Sequence, residues 1–171
     1  MIVSKTEVHY HIVQITRPEY NEATIVNGGV MNVEINYLAV LIAGLSSMLV
    51  GSIWYLPKVF GTKWAKLAKV NLNKKMSASQ MVILMSSALG ASLVTAYVLA
   101  HMTYVANYFF GNNYLQDALT TAVWLWLGFT ALRVYVHDSF EGRPFKLTLL
   151  TAGYELVTIL LMGLIIGLIG R

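Results

Sequence analysis

Four stretches of this chain are long enough, and free enough of charge, to cross a lipid bilayer as helices. A hydrocarbon core of about 30 Å takes roughly 20 residues of helix, with each backbone N–H and C=O bonded inside its own segment. The first stretch, 35–56, has no ionisable charge; the others run over about 77–108, 117–136 and 145–169. Barrel strands would be shorter and would alternate in polarity, and these runs do neither. The chain is 57% hydrophobic and 12% charged, far below the charge of about 25% that a soluble surface carries. The sequence therefore predicts an all-α integral membrane four-helix bundle over 35–171, preceded by a polar tail over 1–34.

Local signals set the ends of the helices. Ser77 and Gln80 fit a capping box at the start of the second run, and Gly111-Asn112-Asn113 reads as its terminating turn. That run exceeds one crossing, so it tilts or projects beyond the bilayer. Pro144 suits a first helical turn, where its missing N–H costs little.

The basic residues give an orientation. Six lysines and no acid lie between Lys58 and Lys75, and Arg133, Arg143 and Lys146 bring that side to nine; the other side has Lys5, Arg17 and Arg171. By the positive-inside rule this predicts a multi-pass protein, of the plasma membrane, with cytoplasmic basic loops and both termini outside. The net charge of +4 then points to anionic lipid headgroups as partner and not to nucleic acid. Within the loop, Phe60, Trp64, Leu67 and Ala68 recur at helical spacing, while Lys63, Lys66 and Lys69 fall on another arc. This fits a short interfacial helix anchored at the lipid surface by Trp64 with Lys63, Lys66 and Lys69. A flexible basic loop with a tryptophan anchor fits equally.

The tail is of another kind. Alternation over 7–16 gives a weak strand signal, and four glutamates stand against Lys5 and Arg17. It has no apolar core of the signal-peptide kind. Met31-Asn-Val-Glu-Ile-Asn-Tyr37 leads straight into the first span, which makes Met31 an expected start of translation.

One residue stands out chemically. Glu155 lies nine residues beyond Lys146, roughly 14 Å along a helix and so near the bilayer centre. An acid at that depth costs about 2.5–3.5 kcal/mol on insertion scales. It is either a proton or cation site facing the bundle interior, or a protonated glutamate hydrogen-bonded to neighbouring serines. Ser46 and Ser47 in the first span and Ser92 in the second lie at matching depth and would complete a polar layer with Glu155. Arg133 and His101 fall near opposite span ends, so neither pairs with Glu155, and no catalytic dyad is expected.

The remaining polar residues suggest less. His137, Asp138 and Glu141 near a Gly-Arg-Pro turn, and His9 with His11 in the tail, lack a metal-site signature and read as solvated segments. The chain has no cysteine, which removes disulfides, thiolate metal sites and cysteine nucleophiles. It also lacks a phosphate-binding loop, a nucleophile elbow, a zincin motif and a dinucleotide fingerprint, so neither a metal nor a cofactor is expected. Small residues recur every fourth position at Ala39, Ala43, Ser47 and Gly51, and at Ala88, Ser92, Ala96 and Ala100; Gly163 and Gly167 make a further pair. Such ladders let helix backbones approach closely, either inside one bundle or between copies in a homo-oligomer. Trp54, Tyr55 and Trp64 on one side, and Tyr104, Tyr108 and Tyr114 on the other, read as aromatic belts.

Several of these residues also form motifs. Asn36-Tyr37-Leu38 opens the first span, Trp54-Tyr55-Leu56-Pro57 closes it, and Phe60-Gly61-Thr62-Lys63-Trp64 follows; Phe140-Glu141-Gly142-Arg143-Pro144 and Ala152-Gly153-Tyr154 come later. Over about 36–169 the chain resembles the domain of unknown function 1761 family of small membrane proteins. The resemblance implies a four-helix membrane domain and no established activity. It also makes Glu155 a departure, since a histidine or neutral polar residue would be expected after the Gly-Tyr pair. Asn36-Tyr-Leu and Asn113-Tyr-Leu each open a span in the same direction, as two parallel helical hairpins from a duplication would. The functional expectation is a non-enzymatic membrane protein acting through helix, oligomer or lipid contacts. The alternative is a small oligomeric transporter or proton-coupled permease using Glu155.

Overall fold

The computed structural model describes residues 33–71 and 76–170. The tail strand over 7–16, His9, His11, Met31 and the last two loop lysines, Lys74 and Lys75, lie outside the described residues.

Three of the helices start where a side chain satisfies free N–H groups of a first turn. Helix α1, Tyr37–Trp54, is capped by Asn36, whose side chain accepts from the Ala39 N–H at 3.1 Å. After it the chain makes a π-helical turn, Pro57–Gly61, and a short helix α2, Thr62–Leu67. Gly61 is required there, because a Cβ would collide with the Tyr55 carbonyl oxygen. Helix α3, Ala78–Phe110, opens on the Ser77–Gln80 capping box and closes at Gly111, whose φ of 67° is left-handed. Its 33 residues span about 50 Å, well beyond a hydrocarbon core.

The third crossing is longer than the 117–136 read from the sequence. Helix α4, Tyr114–Leu125, passes through a π-helical segment, Trp126–Ala131, into helix α5, Leu132–Phe140. Asn113 does not merely follow the turn: it caps α4 by accepting from the Leu115 N–H at 2.9 Å. Helix α6, Phe145–Ile169, follows Pro144.

The helices form an antiparallel ring in which α1 packs on α3 and α6, α4 packs on α6, and α3 packs on α4. Among the described residues no strand is formed, and four helical rods are long and apolar enough to cross a membrane. Lipid cancels the hydrophobic drive between such helices, so close backbone approach has to hold them. Ala39, Ala43 and Ser47 are buried along one face of α1. A Cβ on Gly44 would stand 3.1 Å from the Leu93 backbone. A Cβ on Gly167 would stand 2.8 Å from the Leu115 Cα. The best-packed core, with Leu99, Met162 and Ile166 fully buried, lies towards one end. At that end the Asn36 side-chain amide donates to the Ile169 carbonyl at 2.7 Å, joining the start of α1 to the finish of α6. We call it the asparagine end and its opposite the lysine end.

The ring is asymmetric. Helix α3 packs against α4, but no comparable packing joins it to the π segment or to α5 among the described residues. The first ten residues of α3 are exposed. The bundle therefore opens as a crevice on its lysine-end half, between α3 and the α4–α5 rod, with α6 as its floor.

Candidate functional site

Glu155 lies on that floor. It is the eleventh of 25 residues in α6, roughly 15 Å from the start of the helix. It is half-buried, and among the described residues its carboxyl forms no hydrogen bond or ion pair. The cavity it lines has a volume of about 300 Å³ and includes Ser92 and Thr95 of α3, Thr130 of the π segment, and Thr158 of α6. The π segment helps build this wall: Trp126 Nε1–H donates to the Ala152 carbonyl at 2.9 Å, binding the third crossing to α6 one turn from Glu155. Short π-helical segments of this kind often occur at functional sites.

Of the serines read as a polar layer, Ser92 shares the cavity with Glu155. Ser46 and Ser47 do not line it; their hydroxyls donate to the Ala43 and Gly44 carbonyls, each at 2.7 Å. Ser47 lines a second, larger cavity of about 530 Å³ nearer the lysine end. Ala88 and Tyr154 line both cavities, so the two adjoin.

Tyr55, Trp64 and Tyr154 form one part of the larger cavity's wall. Trp54, Tyr55 and Trp64 gather with Phe60 and Tyr154 into one cluster. The Tyr55 ring lies 5.3 Å from Trp64 and 5.3 Å from Tyr154, and Trp54 lies 4.5 Å from Phe60. Glycines make the room. A Cβ on Gly51 would press the Tyr154 hydroxyl at 3.3 Å, and one on Gly153 would meet the Trp54 ring at 3.6 Å. Trp64 thus turns a half-buried ring to the bundle, while Lys63, Lys66 and Lys69 remain exposed on the other arc. The neighbouring motifs Trp54-Tyr55-Leu56-Pro57 and Phe60-Gly61 here meet Gly153-Tyr154 from far along the chain. In the sequence Tyr154 stands only as part of the Ala152-Gly153-Tyr154 motif, with no signal that it would meet Tyr55 and Trp54.

Asp117, Asp138 and Glu141 are held by partners. Asp117 accepts from Asn107 Nδ2 at 2.8 Å and Asn112 Nδ2 at 3.0 Å, at the asparagine end. Asp138 accepts from Thr148 Oγ1 at 2.8 Å and pairs with Arg143, which also holds Glu141. His137 stays exposed, and no group of three potential metal ligands assembles among the described residues. The Asn107–Asn112–Asp117 cluster escaped the sequence reading because its donors and acceptor sit on two helices and the turn between them.

Four apolar helices in an antiparallel ring, with an acid and a cavity inside, define a multi-pass membrane protein. The chain belongs to the DUF1761 family, described as a protein of unknown function, which matches residues 38–167. No curated protein and no solved structure matches it.

Proposed function

We propose that the protein is a small, non-enzymatic permease in which Glu155 is the proton or cation site and the crevice is its access from the lysine end. One observation carries this reading: the Glu155 carboxyl lines a cavity near mid-helix without a partner among the described residues. A purely structural acid would be committed to neighbouring donors, as Asp117 and Asp138 are. The packed layer of Leu99, Met162 and Ile166 between Glu155 and the asparagine end supports the reading further, because a permease must be closed on one side while open on the other. Thr95 and Thr158, which line the same cavity, donate their hydroxyls to the Ala91 and Tyr154 backbone carbonyls.

In this proposal the lysine end faces the cytoplasm, and Lys63, Lys66 and Lys69 meet anionic headgroups. A second reading, action through helix, lipid or homo-oligomer contacts, is supported by α3, of which only Ala96, Leu99, Ala100 and Thr103 are buried. Flux assays separate the two. The purified protein in liposomes should carry protons or monovalent cations, and Glu155→Gln should abolish that flux while leaving folding and oligomeric state unchanged. No flux from a folded, discrete oligomer would sink the permease reading and favour the second.

A further inference from the structure

We infer that the joined cavities beside Glu155 take a lipophilic organic cation, a quaternary or protonated amine borne on apolar groups. The inference names a substrate class for the permease site proposed above and rests on that reading.

Size, polarity and charge all point this way. The larger cavity, about 530 Å³, falls in the range of small-molecule sites, roughly 300–1,000 Å³. Its lining combines the Tyr55, Trp64 and Tyr154 rings with the aliphatic Leu84 and Met85. The adjoining cavity supplies Glu155. None of the lining residues of either cavity is basic, and Glu155 is the one acid among them.

The rings are inclined to one another, Tyr55 to Trp64 at 74° and Tyr55 to Tyr154 at 57°. They form an angled wall rather than a flat stack. Aromatic faces carry negative charge density and attract a cation, tryptophan most strongly. An anion would meet both ring faces and a carboxyl. A neutral apolar molecule would gain nothing from Glu155. A bare metal ion would lose its water without the set of oxygen ligands that replaces it. A cation wrapped in apolar groups satisfies the aliphatic lining, the rings and the acid together. The lysines of the loop do not oppose it, since Lys58, Lys63 and Lys66 are exposed and outside the lining.

The test is equilibrium binding to the full chain in detergent micelles, with protein-free micelles subtracted. The probes are tetraphenylphosphonium and its anionic isostere tetraphenylborate. The cation should bind at least about tenfold more tightly than the anion. Glu155→Gln and Trp64→Leu should each weaken cation binding by about tenfold, whereas Tyr154→Phe, which keeps the ring, should change it by less than about threefold. Unchanged thermal unfolding qualifies each variant as folded; should Trp64→Leu fail, Glu155→Gln alone decides. Equal binding of the two ions, or cation binding indifferent to Glu155→Gln, would overturn the inference. Phosphonium binding without any flux would refute the permease and leave the cation site. Flux abolished in Glu155→Gln without phosphonium binding would do the reverse.

Discussion

Asp117 and Glu155 are both acids within apolar crossings, and their neighbours give them opposite roles. Asp117 is buried and accepts from Asn107 and Asn112, close to the positive end of α4. Removing it would take the carboxylate acceptor from both amides, although Asn107 keeps the Asn112 carbonyl, so Asp117→Ala should cost about 1–2 kcal/mol, read by unfolding in detergent. A loss below about 0.5 kcal/mol would show the cluster to be incidental. Thr148→Val, nearly isosteric, removes one hydroxyl from Asp138 and should cost about 1 kcal/mol in the same assay. From the sequence, Glu155 stood out by depth alone. Asp117 did not, because an acid in a first helical turn is unremarkable until its partners are known.

At the scale of helices, α4 and α6 approach along glycine. Gly167 faces the Leu115 backbone, so Gly167→Ala should push the two helices apart and cost about 1–3 kcal/mol. Gly90 of α3 has open space beside it, and Gly90→Ala should be neutral or stabilising by up to about 1 kcal/mol. Comparing the two by thermal unfolding checks the packing: equal effects would contradict it. The small-residue ladder and the Gly163–Gly167 pair signalled close approach in the sequence, yet not which helix would be approached. The π segment gave little sequence signal, since Trp126–Ala131 is apolar but for Thr130 and only Gly128 weakens a regular helix there.

For the whole molecule, the proposed orientation is testable because the chain has no cysteine, so any introduced thiol is the only one. Gln116→Cys at the asparagine end should react with an impermeant maleimide on intact cells. Lys66→Cys at the lysine end should react only after permeabilisation. The opposite pattern would overturn the orientation. Both sites are exposed, so reactivity reports sidedness and not burial.

The four crossings and most of their ends are legible in residue order. Lipid leaves no water for an unpaired backbone group, so runs too long and too uniform for barrel strands must be helices, and the caps at Ser77 and Gly111 act within one turn. Tertiary packing settles which faces meet, where the crevice opens, and that Tyr55 and Trp64 gather with Tyr154, whose ring also borders the Glu155 cavity. The reason is the solvent. A helix in water marks its inner face with apolar residues, whereas α3 is apolar on its lipid side and its packed side alike, so periodicity carries no direction there. Only the fitted backbones, brought together at Gly44 and Gly167, choose the arrangement.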